Sequence, residues 1–178
     1  ISAVLSLLLA TLLRSRYEAG VKNSTSAIRW IFTGITAGLM VKLVAVLAGV
    51  QDVATLALIG SAILTTAVLG WIVEREIKAS GVGRWSTYSL SLFTGVVAWL
   101  PTIFALAGTH LFGLERYGWQ VYALIFVISF ACVRFAVTQA AFIKAGKTDY
   151  LPFEEKYISN DMFMKLAFAA IVFMAFSG

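Results

Sequence analysis

Five long apolar stretches separated by short polar breaks dominate the chain, at about 28–50, 53–73, 85–107, 119–143 and 157–178. Each reaches the roughly 20 largely apolar residues that a helix needs to cross a bilayer core. Barrel strands would instead show short segments of alternating character. A sixth stretch, 1–13, is apolar but too short to span, and the chain opens on Ile rather than Met. It reads as the tail of a helix whose beginning, alone or with a whole earlier helix, lies outside this sequence. It does not read as a signal peptide, because it lacks a basic start and runs into Arg14 and Arg16 instead of a small-residue cleavage site. The expected fold is all-α: one transmembrane domain, a polytopic membrane helix bundle with no internal repeat.

The breaks carry their own signals. Lys22-Asn23-Ser24-Thr25-Ser26 offers an N-cap before a helix starting near Ile28. Gly81 and Gly83 interrupt the chain before Trp85, and Gly146 and Pro152 do so before Tyr157. Gln51-Asp52 is a minimal turn, so the helices on either side are antiparallel neighbours. Basic residues alternate between breaks: segments 14–29, 74–84 and 144–156 hold ten Lys and Arg, whereas Gln51-Asp52 and the segment around Glu115 hold only Arg116. The rule that cytoplasmic loops are basic places the three rich segments inside and the carboxyl terminus outside. With one helix ahead of 1–13, the count becomes seven spans with an internal amino terminus.

Composition agrees with a membrane setting. The chain is 60% hydrophobic and 13% charged, against about half and a quarter in soluble domains. A net charge of +5 would suggest nucleic acid in a soluble protein. Here the basic residues are interspersed between spans with no aromatic-laced basic cluster, so the expected partner is membrane lipid and not nucleic acid. The single Cys132 supports no disulfide framework and reads as a core filler, and the single His110 supports no metal cluster. No Ser-His-Asp, Cys-His or phosphate-loop arrangement indicates an enzyme. Trp30, Trp71, Trp85, Trp119, Tyr88, Tyr117 and Tyr157 lie near span ends, as an aromatic belt predicts. Gly34, Ala37 and Gly38 read as a close helix contact. Trp99 stands deeper, beside a Pro101 that should kink its helix, as packing or as the wall of a ligand site.

Four charges fall inside spans: Lys42, Arg134, Asp161 and Lys165. Each costs at least about 2.5 kcal/mol at a helix centre. Snorkelling explains Lys165 poorly, since it lies roughly 12 Å past Tyr157 and 20 Å before Gly178 at helical rise. Asp161 is one turn earlier on the same face. The two form either a structural ion pair or a functional cation with its counterion, and the default for intramembrane ionisable residues favours function. Arg134, midway along its span, lines a polar cavity, pairs with a carboxylate or snorkels, with the cavity ranked first. Lys42 is explained about equally by snorkelling and by function. Arg29 reads as an interfacial anchor.

The residues from Arg29 to Met40, R-W-I-F-T-G-I-T-A-G-L-M, resemble the third helix of heliorhodopsins, which typically reads R-W-x-E-Y-S-I-S-A-S-L-M. Arg16-Tyr17-Glu18 is similar to the R-Y-E of the family's preceding loop, and Glu74-Arg75 to the E-R that closes its fourth helix. Trp99 falls at the tryptophan of helix five, and Phe135-Ala136-Val137 matches a run in helix six. Glu155 and Tyr157 precede Lys165 at the spacing of the family's G-E-R-x-Y…K segment. The resemblance runs from about Arg14 onward. It implies a rhodopsin-like seven-helix architecture of inverted topology, with helix one and part of helix two missing from this chain.

It also implies all-trans retinal held on Lys165 as a protonated Schiff base, a homodimer, and a light-sensing role, with ion transport in some viral members. Met40, Thr66, Trp99, Val133 and Phe135 would then lie in or near the polyene pocket. The chain departs from the family at one point: the counterion glutamate falls at Phe32. Asp161, where the family usually has a small polar residue, is therefore the expected counterion, moved from helix three to helix seven. The rival readings are a light-gated or light-driven ion transporter, with Arg29, Lys42 and Arg134 on a polar path, and a chromophore-free membrane scaffold.

Overall fold

The computed structural model describes residues 25–111, 118–146 and 150–177. Readings that involve 1–24, the segment around Glu115 and Arg116, or Lys147 lie outside the described residues, as does the side chain of His110. The rest forms five helices: α1 (Ala27–Leu47), α2 (Val53–Ser80), α3 (Trp85–Leu111), α4 (Trp119–Ala145) and α5 (Leu151–Phe176). All five are long and apolar enough to cross a membrane. Helices suit that setting because their backbone groups bond within the segment, leaving none to face hydrocarbon.

Boundaries shift where polar residues join the core. α2 runs seven residues beyond the expected Val73, because Glu74 and Ile77 continue the buried stripe Ile59, Ile63, Ala67, Gly70 and Val73. Gly81 then stops it with φ 81°, the left-handed cap that favours glycine. α5 begins at Leu151, six residues ahead of expectation. Pro152 does not break it, because the first turn of a helix has no intrahelical use for an N–H. α3 continues through Pro101 as one helix. Asp52 caps α2, accepting from the Thr55 amide at 2.7 Å and its hydroxyl at 2.6 Å. These bonds from Thr55 hold the Asp52 carboxyl below its ordinary range. Ser26 precedes α1 without a side-chain cap. Its amide donates instead to the Glu74 carboxylate on α2.

α1 packs on α2, α2 on α3, and α4 on α5, whereas α3 meets α4 at few points. Met40, Val41 and Val44 of α1 join Ile59, Ile63, Leu124, Ile128, Met164 and Phe168 in the larger core. Val73, Ile77, Tyr88, Phe142, Ile143 and Tyr150 form a second cluster towards the other end. Between them, Trp30, Ala67 and Tyr157 form a third. The aromatic belt is thus only partial: Trp85 and Trp119 are exposed, while Trp30, Tyr88 and Tyr157 are buried. Cys132 is exposed rather than filling the core.

Gly34 and Gly38 make the close contact expected of them. A Cβ on Gly34 would stand 2.8 Å from the Ala67 Cβ, which has no flexibility to withdraw. Gly108 has nothing within 4 Å of the same position. Gly34→Ala should therefore destabilise the bundle by about 1–3 kcal/mol through overpacking, while Gly108→Ala is neutral or slightly stabilising. Thermal unfolding of the two variants in detergent checks this. Equal melting points would mean that α1 and α2 do not pack this closely.

Candidate functional site

Lys165 and Asp161 do meet. Lys165 Nζ donates to Asp161 Oδ2 at 2.5 Å, and the two side chains are 20% and 19% exposed. The helix dictates this, since residues four apart share a face. The other carboxylate oxygen, Asp161 Oδ1, is buried without a hydrogen-bond partner. Met164, beside Lys165, is buried and forms part of the wall of a cavity.

That cavity, about 270 Å³, fills the gap where α3 diverges from α4. Thr66, Trp99, Val133 and Phe135 line it, together with Trp30 and Cys132. Several of its polar groups are tied down: Gln139 donates to the Gly70 carbonyl at 2.9 Å, Ser91 to the Thr66 carbonyl at 3.0 Å, and Thr66 and Thr94 pair at 3.0 Å. Met40 does not line the cavity; it packs in the larger core. Phe32 lies half-buried outside the lining, and Thr33 and Gly34 present α1 there instead.

Arg29 is no interfacial anchor. It is 6% exposed and sits in a polar cluster built by α1, α2 and the start of α5. Its guanidinium pairs with Glu74, donates to the Tyr150 hydroxyl at 2.9 Å, and places Nε 2.8 Å from Glu154 Oε2. The Tyr150 hydroxyl lies 3.1 Å from Glu74 and 2.8 Å from Glu154. Burial holds this phenol above its ordinary range, so it remains a donor. The guanidinium also lies against the rings of Trp30 and Tyr157, 4.7 and 4.2 Å from their centroids.

Sequence reasoning missed Glu154 and Tyr150, and took Glu74 only as a fragment of a motif. One signal was available: Glu74 falls in register with the apolar stripe of α2.

Arg134 is exposed, with its guanidinium 5.9 Å from the Phe130 ring, and does not line the cavity. The reason is angular. Cys132, Val133, Phe135, Ala136 and Gln139 turn one side of α4 towards the cavity, and at 100° per residue Arg134 falls on the other side. Lys42 lies in a separate groove between α1 and α2. Arg29, Lys42 and Arg134 therefore share no path among the described residues.

A family model for heliorhodopsin matches residues 1–176. The chain belongs to the heliorhodopsin family. No curated protein matches it. As a heliorhodopsin with five membrane-length helices it is an integral multi-pass membrane protein. The family is one of light-sensing and transport proteins that carry a retinal chromophore. The residues present fit such a group. The cavity is apolar and aromatic-walled, close to the lower end of the roughly 300–1,000 Å³ of small-molecule sites; from α5 it is lined by Met164, the residue before Lys165, and not by Lys165 or Asp161 themselves.

The polar cluster should matter for stability. Glu74→Gln leaves Arg29 short of a buried partner and should cost about 3–5 kcal/mol. Tyr150→Phe should cost about 1–3 kcal/mol, and exposed Glu155→Gln less than about 0.5 kcal/mol. Thermal denaturation of the three variants gives the order. A Glu74 variant as stable as the Glu155 variant would remove the cluster from any role in holding the bundle.

Proposed function

We propose that this heliorhodopsin is a light-sensing photoreceptor that carries all-trans retinal on Lys165 as a protonated Schiff base, with Asp161 as its counterion. The observation that carries the reading is the 2.5 Å contact between Lys165 and Asp161, at the level of Met164 in the cavity wall. When bound, retinal supplies absorption of visible light and photoisomerisation.

The chain's own residues supply the rest. Burial disfavours a cationic nitrogen, and a carboxylate within hydrogen-bond reach restores its charge. Phe32 offers no such group, so on this reading Asp161 is the anion that partners the cationic nitrogen. Trp30, Trp99 and Phe135 exclude water and limit the shapes that an elongated apolar ligand adopts. α5 also carries Glu154, eleven residues before Lys165 and about 16 Å away along the helix. A displacement of α5 at the lysine therefore reaches the cluster that joins α5 to α1 and α2, which gives a sensor two packings to move between. Ion transport gains no support from Arg29, Lys42 and Arg134, which stand apart. Assembly as a homodimer belongs to the same reading and is checked by light scattering in detergent.

Reconstitution with all-trans retinal tests the assignment. The protein should gain a visible band that Lys165→Ala abolishes. Asp161→Asn removes the anion beside the nitrogen, so the charged form should be lost more readily. The visible band then gives way to a near-ultraviolet one at or below neutral pH. The absence of any band in the parent protein would overturn retinal binding. An unchanged visible band and alkaline transition in Asp161→Asn would overturn only the counterion. Light-induced currents from the full-length protein would replace the sensor with a transporter.

A further inference from the structure

Lys42 is a cation that the proposed photochemistry does not use, and its direction is informative. α1 has 21 residues, or about 31 Å, close to the hydrocarbon thickness of a bilayer. Lys42 lies five residues before its end, about 7.5 Å inside the apolar layer. A snorkelling lysine would reach back past Leu47. Instead its chain crosses α2 at Gly60: a Cβ added there would fall 2.2 Å from Lys42 Cε and 2.5 Å from Nζ. Gly60 is seven residues into α2, deeper still. Helical side chains lean towards their own N-terminus, so the ammonium is carried down into the membrane and the glycine leaves room for it.

It enters a groove of about 280 Å³ lined by Lys42, Gly38, Gly34, Gly60, Ser61 and Leu64, among others. Exposed Ile31, Ile35, Leu39 and Leu43 on α1 form an apolar face alongside. Among the described residues Lys42 has no ion pair or hydrogen bond. A charged group at this depth is costly without a partner.

We infer that this groove binds a long-chain fatty acid from the bilayer, its carboxylate on Lys42 and its chain along the glycines towards Gly34. Charge complementarity calls for an anion, and the apolar walls call for a hydrocarbon tail. Depth selects between amphiphiles. A phospholipid keeps its phosphate at the surface, above the level of Lys42, and brings two chains to a groove between two helices. A carboxylate on one chain sinks to the ammonium and leaves its tail in the groove.

The test is retention of labelled oleate and phosphatidylglycerol, supplied together to the purified protein and counted by mass spectrometry after washing. The parent should keep about one oleate per chain. Lys42→Gln should lower retention about tenfold, the effect of losing a charge-assisted hydrogen bond, and Lys42→Arg should restore it. Gly60→Leu should abolish retention by filling the groove, whereas Arg134→Gln, which removes an exposed cation that does not line this groove, should leave it unchanged. Preferential retention of phosphatidylglycerol, equal retention by the parent and Lys42→Gln, or no retention at all would each overturn the proposal. None of these readings involves the visible band, so the result stands apart from the retinal assignment.

Discussion

The bundle depends on how one guanidinium is accommodated where water cannot solvate it. Arg29 cannot lose its charge, and its burial would be prohibitive without partners. Three residues from two parts of the chain answer at once: Glu74 from α2, and Tyr150 and Glu154 from the start of α5. Two aromatic rings, Trp30 and Tyr157, lie against it. The Glu74 carboxylate also takes the Ser26 amide, so the first turn of α1 is capped by another helix and not by its own sequence. A bilayer offers little hydrophobic drive for helices to associate. A shared ionic cluster provides position as well as attachment, since its distances cannot be met in another register.

The pair formed by Lys165 and Asp161 is of a different kind. Both belong to α5, and their contact follows from helical spacing alone. It constrains no other helix, and a fifth of each side chain remains accessible. On the proposed reading, and against the tertiary cluster around Arg29, this is the arrangement expected of a group that changes state without unfolding its surroundings. The glycines serve the same division. Gly34 and Gly38 bring α1 onto α2, and Gly70 leaves space for the Trp30 ring, whose edge would meet a Cβ at 2.7 Å. The aromatic wall can therefore sit directly beneath the cluster.

What could be read from the chain follows the range of the physics involved. Apolar length marked all five helices, and the i, i+4 spacing paired Asp161 with Lys165, because both signals are local. Thr66, Trp99, Val133 and Phe135 reached the cavity through family resemblance, which encodes contacts that periodicity does not. Arg29 was misread because a cation near the start of an apolar run has the same appearance whether it meets headgroups or a carboxylate 45 residues away. Arg134 was misread because burial was inferred from depth along the helix, while its angle around the helix set its exposure. The glycine break at Gly81 was legible, yet the expected end at Val73 treated Glu74 as a loop charge. Its burial depends on a partner that local sequence does not name.

The two departures from family pattern, Phe32 and Asp161, bear on one another. An acid at position 32 would sit on α1, so its attraction to Lys165 would pull α1 and α5 together. With phenylalanine there and the proposed anion on α5, that force acts within one helix, and the α1–α5 link passes to Arg29 and Glu154. Charge at the lysine can then change without loosening the cluster directly. Any signal must instead travel as movement of α5 itself, along the segment from Lys165 to Glu154. On the proposed reading, relocating the counterion separates the tuning of the chromophore from the clamp that holds the helices, and makes α5 the element that connects them.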